Sequence, residues 1–108
     1  ILVISVPNVD ALDRGIYKEY WSAYDVPRHL YHFNKKTISI LMNRLGFQLE
    51  STYPMIFDSY YISLHSEWYM NSGKIRAVLK AIKNGFFSNW SARKTGNYSS
   101  LIYIFRKQ

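Results

Sequence analysis

The chain has 108 residues, with Lys+Arg 14 against Asp+Glu 7 for a net charge of +7, and aromatic residues make up 18%. A chain of this size buries roughly 60–68% of the surface it exposes when unfolded, which allows one modest core and one domain, residues 1–108. Cysteine is absent, which excludes a disulfide scaffold, a thiolate metal site and a cysteine nucleophile, and the 48% hydrophobic content excludes a disordered tail. The basic balance favours an anionic partner or substrate and leaves the fold open.

The opening run Ile1-Leu2-Val3-Ile4-Ser5-Val6 is apolar on both alternating faces, the pattern of a central parallel strand. It is too short to span a membrane and lacks the flanks of a signal peptide. A central strand needs neighbours on both edges, so the chain reads as part of a larger domain cut at a strand. Pro7-Asn8 ends this strand. Residues 9–33 lack a clean period and are expected to form a long loop with one or two helical turns.

Asn34 is a fitting N-cap for a helix over about 35–45, with Ile38, Leu41, Met42 and Leu45 at helical spacing and Gly46 as its stop. Residues 47–53 alternate as a half-buried strand closed by Pro54. Asp58 caps a second helix, ended by Asn71-Ser72-Gly73. A third helix covers 74–84, with Ile75, Val78, Leu79 and Ile82 as its apolar stripe, Lys74, Arg76, Lys80 and Lys83 elsewhere, and Gly85 as its end. Residues 86–97 read as an exposed aromatic and basic connection, and 101–105 as the last strand. The order is α/β in character.

The densest chemistry lies in Trp21–Phe33, WSAYDVPRHLYHF. Pro27 keeps Val26 out of a helix, so Asp25 and Arg28 belong to a shaped turn. His29 or His32 can act as a general base or substrate contact with Asp25 orienting it. The bland alternative is an Asp25–Arg28 pair that pins the loop, with both histidines satisfied by backbone groups. His29 and His32 are three apart, but a metal site would need a third ligand from Asp25 or His65, and none is expected. The basic stretch from Lys74, with Phe86, Phe87, Trp90, Arg93 and Lys94 beyond it, suits a phosphate backbone or an anionic membrane surface, or is simply a solvated face. The glycines at 15, 46, 73, 85 and 96 build no phosphate-binding loop.

The segments LVISVPN and WSAYDVPRHLYHFNKKTISILMNRLGF, with a closing strand, resemble the C-terminal half of a class I S-adenosylmethionine-dependent methyltransferase. The nearest likeness is to the subgroup with ubiquinone-biosynthesis-like and cell-envelope sugar methyltransferases. Trp21, Asp25, Pro27, Arg28, His29, Phe33, Gly46 and Phe47 carry the match, which covers residues 1–54 and fades over 55–98. The resemblance implies the C-terminal part of a Rossmann-like seven-stranded sheet with about three helices. Residues 2–6 would be its fifth strand, 47–53 its sixth, and 101–105 its seventh, antiparallel and inserted between them.

In that frame the glycine-rich loop and the cofactor's ribose-binding acid precede this chain, so S-adenosylmethionine binds only the intact parent and the fragment is inactive. His29 is the implied base or acceptor contact, with Asp25 and Arg28 beside it, Arg28 either meeting an anionic acceptor or holding the loop. Asn8, Trp21, His32 and Phe33 are the implied substrate-side residues. The expected partner is a small-molecule methyl acceptor in the cytoplasm, with no membrane span, and self-association can occur through the exposed first strand. The alternative is a self-contained basic, aromatic-rich module that binds nucleic acid or another anionic polymer, with nucleic acid the less favoured partner.

Overall fold

A computed structural model describes residues 1–108. Its sheet has three strands, β1 (Leu2–Pro7), β2 (Phe47–Pro54) and β3 (Ser100–Lys107), in the order β1-β3-β2. β3 runs antiparallel to both neighbours, pairing Leu2 with Phe105 on one side and Phe47 with Lys107 on the other. The last strand is thus inserted between the first two, as the family resemblance implied. β1, read from its apolar run as a central parallel strand, is paired here only with β3 and antiparallel to it. A bulge between Leu49 and Ser51 shifts the β2 register and leaves Glu50 to pair with Arg106 at 2.9 Å.

The alternation of β3 decides which face is the core. Leu101, Tyr103 and Phe105 are buried together with Ile38 and Met42 of α2 (Lys35–Arg44), and Leu2, Ile4, Val6, Phe47 and Leu49 pack around them. Asn34 caps α2 through a reciprocal box: its Oδ1 accepts from Thr37 N at 2.8 Å while Thr37 Oγ1 accepts from Asn34 N at 3.0 Å. Gly46, at φ +84°, ends the connection, since only glycine enters that region without strain. The opposite sheet face leaves Val3 and Tyr53 exposed, and β1 is paired on one edge only.

Residues 9–33 are more ordered than expected. They form α1 (Leu12–Tyr17) and two turns of 3-10 helix, Lys18–Tyr20 and Ser22–Tyr24. Two longer helices complete the fold, α3 (Asp58–Tyr69) and α4 (Lys74–Thr95), packed against each other as a hairpin. There are four helices, where about three were expected.

The largest correction concerns α4. Gly85 does not end it; the helix runs on for a further ten residues and stops at Gly96, whose φ of +76° and bond to Ala92 O make a left-handed cap. The segment 86–97, read as a connection, is mostly helix. Nor does the stripe Ile75, Val78, Leu79, Ile82 face the core, because all four are exposed. The buried face is Ala77, Ala81, Gly85, Ser88 and Ala92. Small residues win because they let α3 approach closely: a Cβ at Gly85 would lie 2.6 Å from Tyr60 Cδ1, and Ser59 Oγ donates to Gly85 O at 3.2 Å.

Candidate functional site

At the carboxyl end of β1 lies a cavity of about 340 Å³. Its floor is Ser5, Val6 and Pro7 of β1 with Ser100 of β3. One wall is the loop carrying Ser22, Ala23, Asp25, Arg28 and His29; the other is α3, which contributes Asp58, Tyr61, Ile62, His65 and Tyr69. A neighbouring pocket of about 40 Å³ shares Val6, Pro7 and His29 and adds His32 and Phe33.

The loop wall is built by short-range bonds. Asp25 takes the left-handed conformation at φ 44°, which Asp tolerates better than most residues. Its carbonyl accepts from His29 N at 2.8 Å, and its Oδ1 accepts from Arg28 Nη2 at 2.6 Å and Nε at 2.9 Å. Both of these Arg28 nitrogens are thus bonded within the turn. The Arg28 side chain is 80% exposed, so the pair shapes the turn more than it stabilises the protein.

The histidines differ. His32 Nε2 lies 2.7 Å from Tyr24 O, and since a carbonyl only accepts, that nitrogen carries a proton and is not a base. Edge-on packing against Tyr24 at 5.1 Å fixes the ring. His29 makes only a long contact, Nδ1 to Ala23 O at 3.5 Å. A proton on Nδ1 would leave the Nε2 lone pair available.

The other implied residues are divided in the same way. Asn8 is fully buried: its Nδ2 donates to Tyr98 O at 3.1 Å and to Asn97 Oδ1 at 3.3 Å, and its Oδ1 accepts from Asp10 N at 3.1 Å. Trp21 is buried, with Nε1 donating to Asp13 Oδ2 at 2.8 Å. Both anchor the loop and line neither pocket. Of the seven implied residues, Asp25, Arg28 and His29 meet in the main cavity, and His32 and Phe33 line the smaller one.

The α3 wall was not anticipated as a site. Asp58, Tyr61, His65 and Tyr69 follow at steps of three, four and four, one face of a helix, and that spacing was the available signal. Tyr61 and Trp68 flank the His65 ring at 4.3 and 4.9 Å. The walls together offer two carboxylates, two imidazoles, a guanidinium and two phenols around an open space. That set can orient a polar small molecule and accept a proton from it. No cluster of three or more His, Asp or Glu side chains able to hold a metal ion is formed.

The fold and cavity thus define an α/β domain with a pocket at the end of its first strand. Comparison with protein-family models, curated proteins and solved structures returns no match.

Proposed function

We propose that this chain forms the acceptor-binding side of a class I S-adenosylmethionine-dependent methyltransferase acting on a small molecule. The observation that carries this reading is the 340 Å³ cavity at the carboxyl end of β1, where open α/β sheets bind ligands, roofed by the Asp25–His29 turn. The β1-β3-β2 order with an antiparallel insertion supports it further.

The residues present do not suit the cofactor itself. Gly46 and Gly96 follow helices and Gly85 is packed under Tyr60; none belongs to a glycine-rich turn after a strand. In this reading the sulfonium donor is held by residues outside these 108, and this chain's share is the acceptor. Ile62, Tyr61 and Tyr69 would line it, Asp58 and the serines would orient its polar groups, and His29 Nε2 would accept a proton from it.

The test is the native protein purified from its source cell. A native mass about twice 12.8 kDa, a glycine-rich loop ahead of Ile1, and saturable S-adenosylmethionine binding are the expected results. A native protein without such a loop, or one that retains only nucleic acid in a steeply salt-dependent way, would overturn the reading in favour of a basic binding module.

A further inference from the structure

The exposed side of α4 carries an arrangement that the cavity does not use. At about 100° per residue, the helix divides into three sectors. Ala77, Ala81, Gly85, Ser88 and Ala92 form the buried one. Ile75, Val78, Leu79, Ile82, Phe86 and Trp90 occupy a second arc of roughly 120° turned away from it. Ile75 is 80% exposed, Leu79 63%, Ile82 56% and Trp90 57%. Arg76, Lys80, Lys83 and Lys94 lie on the third arc, along the edge of the apolar one and together with Phe87. Arg93 lies in line with Ile75, beyond the end of the apolar strip.

An apolar strip this long, interrupted within its arc only by Asn89, is uncommon on a free surface. At about 1.5 Å per residue it extends roughly 22 Å from Ile75 to Trp90. At its far end Phe86 packs edge-on with Phe87 and Trp90, at 6.0 and 5.7 Å. Asn89 Nδ2 donates to Ile56 O at 2.9 Å, which brings the exposed turn of Ile56 and Phe57 beside this aromatic end.

Charge selects the occupant. The helix holds Lys74, Arg76, Lys80, Lys83, Arg93 and Lys94 and no acidic residue. A second copy of the chain would bring cations against cations. A nucleic acid would satisfy the cations but leave Ile75, Val78, Leu79 and Ile82 with no apolar partner. An anionic bilayer surface meets both arcs at once, with acyl chains under the apolar strip and headgroups along the basic edge. No helix is long and apolar enough to cross a membrane, so the contact is one of lying on the surface.

We propose that α4 docks the protein on an anionic lipid surface, with Ile75, Leu79, Ile82, Phe86 and Trp90 buried at the interface and Arg76, Lys80 and Lys83 on the headgroups. The inference does not depend on the methyltransferase reading.

The experiment is cosedimentation of the purified native protein with vesicles of phosphatidylcholine alone and of equal parts phosphatidylcholine and phosphatidylglycerol. Binding is expected to the mixed vesicles, to fall as salt rises, and to be marginal on phosphatidylcholine. The Arg76→Gln/Lys80→Gln/Lys83→Gln variant should bind about a hundredfold more weakly, at about fivefold per cation. Ile82→Glu/Phe86→Glu should abolish binding with helicity unchanged, because both residues lie outside the core. No binding to mixed vesicles, or binding that both variants retain, overturns the proposal. So does a dimer that Ile82→Glu/Phe86→Glu dissolves, or tight binding to an oligonucleotide, when neither is accompanied by vesicle binding.

Discussion

The Asp13 carboxylate, fully buried, accepts the indole N–H of Trp21 at 2.8 Å. Its other oxygen accepts the hydroxyls of Ser88 and Ser99, at 2.7 and 2.8 Å. One side chain on α1 thereby ties the loop that walls the cavity to α4 and to the approach to β3. Its loss leaves the Trp21 indole N–H without a partner and the Ser88 and Ser99 hydroxyls with only their 3.4 Å contact to each other.

Asp13→Ala is accordingly expected to destabilise the protein by about 3 kcal/mol or more. Ser88→Ala and Ser99→Ala should each cost about 1 kcal/mol. Urea denaturation curves measure all three, and an Asp13→Ala midpoint equal to wild type would show that the carboxylate does not hold the loop.

Two helical glycines should respond with opposite signs to the same substitution. Alanine gains up to about 1 kcal/mol over glycine in a helix. At Gly15 nothing lies within 4 Å of an added Cβ, so Gly15→Ala should raise stability by about 0.5–1 kcal/mol. At Gly85 the methyl meets Tyr60 Cδ1 at 2.6 Å and the Tyr60 backbone Cα at 3.1 Å. Overpacking wins there, and Gly85→Ala should lower stability by about 1–3 kcal/mol. Thermal melts of both variants test the contrast.

Tyr17 and Tyr103 govern stability at high pH. Burial pushes each phenol up to about 12, against about 10 for a free tyrosine. The folded state holds these protons more tightly, so their contribution is complete below pH 10 and declines as pH rises towards 12, by about 2–3 kcal/mol for each. Unfolding curves between pH 9 and 12 should show this fall.

Their phenylalanine variants should diverge at neutral pH. Tyr17 OH donates to Glu67 Oε1 at 3.1 Å and accepts from Asn84 Nδ2 at 2.8 Å, so Tyr17→Phe should cost about 1–3 kcal/mol. The Tyr103 hydroxyl is buried with no partner, so Tyr103→Phe should be neutral or stabilising by about 1 kcal/mol, and should weaken the alkaline decline.

If the proposed methyltransferase reading holds, His29→Ala in the native protein should lower kcat by about 10²–10⁴-fold, as expected for loss of a base. His32→Ala should act on stability instead, because its Nε2 is already a donor to Tyr24 O. Arg28→Ala should change stability by less than about 1 kcal/mol. Equal turnover in His29→Ala and wild type would remove the proton-acceptor role.

Much of this architecture could be read from local signals. Asn34, the spacing of Ile38 and Met42, and Gly46 bound α2 closely, and the apolar run Leu101–Phe105 marks the last strand, though not which of its faces is the core. The α4 reading failed because its packed face of Ala77, Ala81, Gly85, Ser88 and Ala92 carries little hydrophobicity, whereas its exposed face carries a great deal. Periodicity reports where apolar residues lie, not which face a neighbour covers. Half of the cavity was visible because Asp25, Arg28 and His29 are close in sequence. The α3 half was less visible, since Asp58, Tyr61, His65 and Tyr69 meet the loop only through tertiary packing.

The insertion of β3 between the two earlier strands has a kinetic consequence. β1 and β2 never pair with each other, so within these 108 residues neither meets its ladder partner until residues through Lys107 have left the ribosome. Closing the ladder from Leu2 to Phe105 is a contact of long sequence separation, of the kind that slows folding and leaves apolar strands exposed to other chains meanwhile. The α3–α4 hairpin and α2 are local and can form first. Nascent chains stalled before Ser100 should therefore be helical yet protease-sensitive through β1 and β2, and should become resistant together once β3 emerges.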